Sequence, residues 1–509
     1  MMTQTDQAQS YRPLSLADGI RSSMQREPTK VALSDPMSRR TYAQLVERMD
    51  MISSALAAGL GLGESDHIAI VSFNCVEYIE LIAGASQIGV AVATVNPRFT
   101  PAEIEFVCND AKAHVLFVDV ANHERVLKCK FTHVQNVVVF GENFDAWLAE
   151  ANPVFRESWI DECIPFTIPY TSGTTGKPKG VLVSSRSRVL TCYGMAVEYG
   201  CYSPDDRFLA VAPLCHGAGM VFPLATVFFG GYAQIMSTFD PETVLANLAN
   251  DWITGVFMVP THFHQLFNLE QNFLDLHRPQ HLKTIISNAA PLPQITKEKI
   301  ISYFGDGVLH ETYGSTEAGI VSNLRPADQM RKRNCVGLPF TSTSVSIRNE
   351  QGQECASNEV GELFSRSPYL FNGYWCREEE TQNAFVNGWV TVGDLARRDE
   401  EGFIYIVDRK KDMIISGGIN IYPREIENVL VEHPSLLEVA IIGVPDSKWG
   451  ERLKAYVVTL PGAHISVEEM KIFCEDRLAN YKIPREVEEI SVLPRNTNGK
   501  VLKTHLRIA

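Results

Sequence analysis

Tyr170-Thr-Ser-Gly-Thr-Thr-Gly-Lys-Pro-Lys-Gly180 follows directly on the apolar segment Ile164 to Ile168. It packs three glycines, four serine or threonine hydroxyls and two lysines into eleven residues. Glycine lets a backbone turn with positive φ and approach a ligand closely. Successive backbone N–H groups and hydroxyls can then wrap an anionic oxygen, and a lysine adds a point charge. This is the chemistry of a polyphosphate-binding loop. The Walker A spacing Gly-x4-Gly-Lys-[Ser/Thr] is absent here and elsewhere in the chain. Stretches rich in Gly, Ser and Thr are also common surface turns, so the order of residues carries more weight than the composition.

A chain of 509 residues exceeds what one core organises, so two or more domains are expected. With 45% hydrophobic and 21% charged residues the composition is that of a soluble globular protein. The net charge of −14 argues against general binding of nucleic acid or anionic membrane. The eleven cysteines show no Cys-x-x-Cys pair and no zinc spacing, which fits free thiols in a reducing cytoplasm. Met1 to Ser10 is polar and has no apolar core of a secretory signal. Between Arg207 and Asp240 there is no charged residue, a length that suggests a membrane span. Pro213, Gly217, Gly219, Pro223, Gly230 and Gly231 interrupt it, so it reads as buried strand, loop, helix and strand.

Strand-like runs His67–Ser72, Val90–Val95, His114–Asp119 and Asn136–Phe140 alternate with helical patterns. Thr41 is placed to cap a helix in which Leu45, Met49, Ile52 and Leu56 recur at helical spacing. Such alternation implies parallel sheets covered by helices, an α/β fold. Gly255–Pro260 and Thr284–Ser287 continue it as buried strands. Beyond about Glu350 the texture changes to short alternating strands with Gly and Asn turns, such as Gly361–Ser365 and Gly402–Val407. From about Lys411 a module of roughly 100 residues follows. Its pattern is helix Pro423–Glu432, strands Glu438–Val444 and Leu453–Leu460, helix Val467–Leu478, then a basic end.

Further motifs follow in order: Ala212-Pro-Leu-Cys-His-Gly-Ala-Gly219, Asn288-Ala-Ala-Pro291, His310-Glu-Thr-Tyr-Gly-Ser-Thr-Glu317 and Thr391-Val-Gly-Asp-Leu395. Asp408-Arg-Lys-Lys-Asp-Met-Ile-Ile-Ser-Gly-Gly-Ile-Asn-Ile-Tyr-Pro423 and Leu493-Pro-Arg-Asn-Thr-Asn-Gly-Lys500 complete the series. Together with the loop at 170–180, this series resembles the adenylate-forming superfamily, in particular the acyl-CoA synthetases. The resemblance implies a large N-terminal domain of helix-covered sheets with a β-barrel-like subdomain, spanning 1–410. It implies a small mobile α+β domain at 411–509, hinged at Lys411. Asp408 stands where glycine is more usual, and so does Asn288.

The same resemblance implies ATP, Mg²⁺ and coenzyme A as reactants. Thr171, Ser172, Gly173, Thr174, Thr175, Gly176 and Lys179 would hold the β- and γ-phosphates, with Lys177 a solvated neighbour. Asn288 to Pro291, through Ala289 and Ala290, would lie against the adenine, with Tyr313 and Gly314 as a flat apolar face. Thr316 would offer a hydroxyl to phosphate and Glu317 a hard oxygen to Mg²⁺. Asp394 and Arg409 would take the ribose, and Lys500 would bridge the carboxylate and the α-phosphate. His216 would line the carboxylate site, and Gly417 and Gly418 would leave room for the pantetheine arm. Each pattern alone has a plainer reading: a turn, a capped helix, a satisfied histidine or a β-hairpin. Cys215 needs no role, since no base is suggested for it and no covalent enzyme intermediate is required.

Attack of a carboxylate on the α-phosphorus of ATP gives an acyl-adenylate and pyrophosphate, with catalysis mainly by positioning and electrostatics. Thiol capture follows, and the small domain would rotate between the two steps. Coenzyme A is the expected acceptor, with Tyr481-Lys-Ile-Pro-Arg485 supplying basic and aromatic groups near the nucleotide. A stand-alone enzyme loading a carrier protein, or a silent nucleotide-binding scaffold, would share most motifs. Around Val256, Phe257, Met258 and Gly314 to Ile320 no Arg or Lys is visible to hold a second carboxylate. A hydrophobic monocarboxylic acid, fatty or aromatic, is therefore expected. His262 and His264 follow the pocket strand and would either read a polar substituent of the acid or, the plainer reading, be solvent-facing helix residues. A homodimer is compatible with the family.

Overall fold

The computed structural model describes residues 12–153, 160–172, 178–495 and 501–507. It divides into two compact units, Met1–Ser344 with Ser365–Val390, and Val345–Phe364 with Thr391–Ala509.

The first unit holds two sheets. In one, Pro165–Ser172, Ala91–Val95, His67–Val71, Val115–Val118 and Asn136–Val139 run parallel. Pro178–Ser184 closes it antiparallel, with the short strand Gly373–Tyr374 at its edge. Every residue of His67–Val71 and Ala91–Val95 is buried, as a parallel strand covered on both faces requires. In the other sheet Val31–Ser34, Tyr232–Ile235, Arg207–Ala210, Gly255–Met258, Thr284–Ser287 and Leu309–Ser315 are parallel neighbours. Gly319–Leu324 and Leu338–Pro339 extend it antiparallel.

Local signals set the helices. Thr41 caps Tyr42–Ser54 through a reciprocal bond with Gln44, and Leu45, Met49 and Ile52 are fully buried. The charge-free stretch after Arg207 forms strand Arg207–Ala210, helix Gly217–Phe228 and strand Tyr232–Ile235. Among the described residues no helix is long and apolar enough to cross a membrane.

In the second unit Asp394–Arg398 and Ile404–Arg409 pair antiparallel. A separate sheet is built on Leu436–Asp446 and Gly450–Thr459, with the hairpin Ile414–Ser416/Ile419–Ile421 beside them. Pro423–Leu430 and Val467–Cys474 cover it, burying Ile426, Leu430 and Met470 against Ile441 and Val457. The first helix stops two residues earlier and the second four residues earlier than their patterns suggest.

Candidate active site

Gly173, Thr174, Thr175, Gly176, Lys177 and Lys500 lie outside the described residues, and of Ser172 only the backbone is described. The flanks of the loop are well defined. Thr171 faces Lys179 and Ser172 faces Pro178 across the antiparallel pair. Tyr170 donates its hydroxyl to Asp110 at 2.8 Å. A Cβ at Gly180 would meet Ile168 at 2.8 Å and the Tyr170 ring at 3.1 Å, which is why glycine stands there.

Lys179 Nζ lies 3.4 Å from Glu380 and 5.5 Å from the centre of the Tyr374 ring. Tyr374 in turn donates its hydroxyl to Glu317 Oε1 at 2.9 Å. Burial first, then the Glu317 charge, pushes the Tyr374 hydroxyl well above the usual tyrosine range, so it stays a donor. The structure thus brings Lys179 and Glu317 together through one aromatic ring.

Glu317 sits in the tight connection between Leu309–Ser315 and Gly319–Leu324. A Cβ at Gly314 would fall 2.1 Å from the Gly319 carbonyl oxygen, so the hairpin closes only with glycine at 314. Tyr313 is half-buried on the same strand. Strand Thr284–Ser287 ends in Asn288-Ala-Ala-Pro291, where Ala289 has φ +73. A non-glycine residue in that region costs about 1–2 kcal/mol. The Asn288 side chain accepts from Ala289 N–H and supports the turn.

His216 occupies the cap position of helix Gly217–Phe228. Asn74 holds the turn before it, donating to Ala212 O at 3.0 Å and accepting from Leu214 N–H at 2.8 Å. Thr94 donates to Cys215 O at 2.8 Å. Burial, with a smaller contribution from Arg98, lowers His216 to about 4, so its imidazole is neutral at neutral pH. Burial pushes the Cys215 thiol up to about 12, so it keeps its proton at neutral pH. A Cβ at Gly217 would lie 3.9 Å from both Arg188 Nη2 and Thr316 Cγ2, so His216, Gly217, Thr316 and Arg188 share one locality.

Two expectations about the acid pocket change. Val256 and Met258 belong to a packed core with Leu209, Leu245 and Phe263, whereas Phe257 stacks on Phe222. Alternation along a strand sends them to opposite faces. His262 is half-buried rather than solvent-facing: it stacks on Phe239 with centroids 4.1 Å apart, and burial lowers it to about 4. His264 is exposed, as expected.

In the second unit Arg409 Nε lies 3.0 Å from Asp394 Oδ1, the two residues being register partners. Asp394 is buried and follows Gly393, whose φ is +76. Asp408 accepts from Arg424 N–H at 2.9 Å, and so satisfies a donor at the start of helix Pro423–Leu430. That is the physical use of aspartate where glycine is more usual. Lys411 is exposed in the turn Lys410–Asp412. Gly417 and Gly418, φ +60 and +79, form the turn of the hairpin. A Cβ at Gly417 would meet the Trp449 ring at 2.8 Å. A cavity of about 80 Å³ beside it is lined by Ser416, Trp449, Arg452, Tyr481 and Arg485 among others. It joins the glycine pair to the Tyr481–Arg485 segment.

Tyr374, Glu380, Arg188 and Trp449 were not singled out from the sequence. No spacing relates Tyr374 to Glu317, and the others read as ordinary helix or turn residues. Among the described residues no group of three or more His, Cys, Asp or Glu could hold a metal ion. One carboxylate, Glu317, fits an ion that keeps phosphate oxygens and waters as its other ligands, as Mg²⁺ does.

The profile of the AMP-binding enzyme family matches residues 20–375, and that of the AMP-binding enzyme C-terminal domain matches residues 425–500. A feruloyl-CoA synthase of Amycolatopsis sp is 35% identical over 473 residues, covering 92% of this chain and 93% of that protein. A long-chain-fatty-acid–CoA ligase of Escherichia coli O157:H7 is 30% identical over 536 residues, covering 97% and 94%. The structure is similar to that of the O-succinylbenzoate coenzyme A synthetase of Bacillus subtilis in complex with ATP and magnesium ion. The TM-score is 0.86 at 29% identity, over 96% of this chain and 98% of the other. Matched along almost its whole length in sequence and in fold, the chain belongs to the AMP-binding enzyme family and is an AMP-forming acid–CoA ligase.

Proposed function

We propose that the protein couples ATP to a carboxylic acid with an apolar body, fatty or aromatic, and passes the acyl group to coenzyme A. AMP and pyrophosphate are the other products. The observation that carries this reading is the array Lys179–Tyr374–Glu317, built beside the phosphate-loop strands. Lys179 and Thr171, with Ser172 to Gly176, receive the β- and γ-phosphates. Tyr374 orients Glu317, and Thr316 donates to a phosphate oxygen. Mg²⁺ held by Glu317 supplies charge neutralisation at the phosphates.

Ala289 to Pro291, Tyr313 and Gly314 receive the adenine, and Asp394 with Arg409 the ribose. Lys500 bridges the reacting carboxylate and the α-phosphate. The neutral His216 acts as a hydrogen-bonding group at the carboxylate, not as a counter-charge. Gly417, Gly418 and the cavity beside Trp449 and Arg485 admit the thiol arm, with the second domain turning about Lys411 between the half-reactions. The eleven cysteines are all free, which suits a cytoplasmic enzyme.

The test is mass spectrometry of reactions containing ATP, Mg²⁺ and a panel of fatty and aromatic acids, with and without coenzyme A. Acyl-CoA with AMP is the expected product. Acyl-adenylate that persists in the presence of coenzyme A would contradict the acceptor and point to a carrier protein.

A further inference from the structure

Arg188 lies on the helix Ser185–Tyr199 and is only 9% exposed. Other cations of the first unit have acids: the buried Lys297 pairs with Glu311, and the half-buried Arg40 and Arg48 share Glu80. Arg188 has none. Its Nε is sealed from solvent without a hydrogen-bond partner. The groups acting on its charge are its own desolvation and the Cys192 thiol, with no carboxylate among them. A guanidinium in that setting is costly to the free protein, because its desolvation is not repaid by a counter-charge.

The charge stands beside the site residues. Arg188 Nη2 and Thr316 Cγ2 both stand 3.9 Å from the point a Cβ at Gly217 would occupy, so glycine leaves that point open between them. His216, next in the chain, is neutral, and the adjacent Cys215 keeps its proton. Neither of them therefore gives Arg188 a counter-charge, and Arg98, whose charge reaches both, is a cation as well.

We propose that the substrate acid carries a second carboxylate, and that Arg188 receives it through its planar, two-pronged guanidinium. This rests on the ligase function proposed above and narrows its substrate. It also reverses the expectation of a monocarboxylate, which depended on no cation being visible at the pocket. Arg188 was missed because the helix that carries it lies far from the pocket strand in sequence.

The experiment compares acids matched in skeleton: hexanoate with adipate, octanoate with suberate, and benzoate with phthalate and isophthalate. Adenylate formation is followed by ATP–pyrophosphate exchange. The expected result is a diacid preferred at least about tenfold in kcat/KM over its monoacid partner. Arg188→Leu should lower that diacid's kcat/KM about 100-fold, a size typical of truncating one partner of a buried charge pair. It should change the monoacid less than about threefold, leave the affinity for MgATP unaltered, and raise the melting temperature by removing an unpaired buried charge. Equal loss on both acids, or a loss of MgATP affinity, overturns the assignment by placing Arg188 at the reacting carboxylate or the nucleotide. If Arg188→Leu does not fold, absence of any diacid preference in the unsubstituted enzyme overturns it as well. Failure of the unsubstituted enzyme both to bind MgATP and to form any adenylate would instead refute the ligase function itself.

Discussion

Tyr374→Phe isolates one hydroxyl at the centre of the site. The ring remains, so its packing and its face toward Lys179, 5.5 Å away, are retained. Lost is the hydrogen bond from the hydroxyl to Glu317 Oε1 at 2.9 Å. Hydrogen bonds to a charged group contribute about 1.5–3 kcal/mol. Glu317 is half-buried, so water partly replaces the hydroxyl and the lower figure applies. At 1.36 kcal/mol per decade, that is about a tenfold loss of rate. ATP–pyrophosphate exchange measured across a Mg²⁺ titration is the assay. The rate should fall about tenfold at limiting Mg²⁺ and recover in part at high Mg²⁺, with the melting temperature little changed. An exchange rate and Mg²⁺ dependence both within twofold of the unsubstituted protein would refute the reasoning. Either Tyr374 would not organise Glu317, or Glu317 would not be the metal carboxylate.

Three further outcomes follow from the same geometry. Glu380→Gln releases Lys179 from its 3.4 Å pair, so calorimetry should show MgATP binding about threefold tighter and AMP, which lacks the outer phosphates, unchanged; weaker MgATP binding would show that Glu380 positions the lysine rather than competing for it. His216, His262 and His310 are each lowered to about 4 by burial, so the unfolded chain takes up protons that the folded one refuses as pH falls below 6.5. Together they should remove about 4 kcal/mol of stability between pH 7 and 5.5, and a urea midpoint unchanged over that range would contradict it. Lys297→Met strands the buried Glu311 carboxylate and should cost about 3–5 kcal/mol in denaturant unfolding, largely restored by Glu311→Leu in the same chain; no loss in the single variant would show that the pair is not buried as described.

Much of the fold was legible because its signals are local. The parallel strands at 67–71, 91–95, 115–118 and 136–139 appear within two residues of their apolar runs. Thr41 caps its helix because the capping box is written within four residues. Helix ends were less certain: Val467–Cys474 stops before its apolar pattern does, since the chain leaves the helical conformation at Glu475, φ −56 and ψ 139. The pairing of Gly361–Arg366 with Asp394–Arg398 cannot be read from texture either, because it joins segments some thirty residues apart.

By itself the sequence determined the family and the order of its motifs, because glycines, hydroxyls and acids at fixed short spacings are readable along one segment. Tertiary structure alone decided which side chains meet. Tyr374 reaches Glu317 across 57 residues because Gly373–Tyr374 adds to the edge of Pro178–Ser184. Trp449 closes on Gly417 because Gly450 pairs with Ser416. Whether an arginine is solvated or, like Arg188, buried with no acid beside it among the described residues depends on what folds around it, and no spacing along the chain records that.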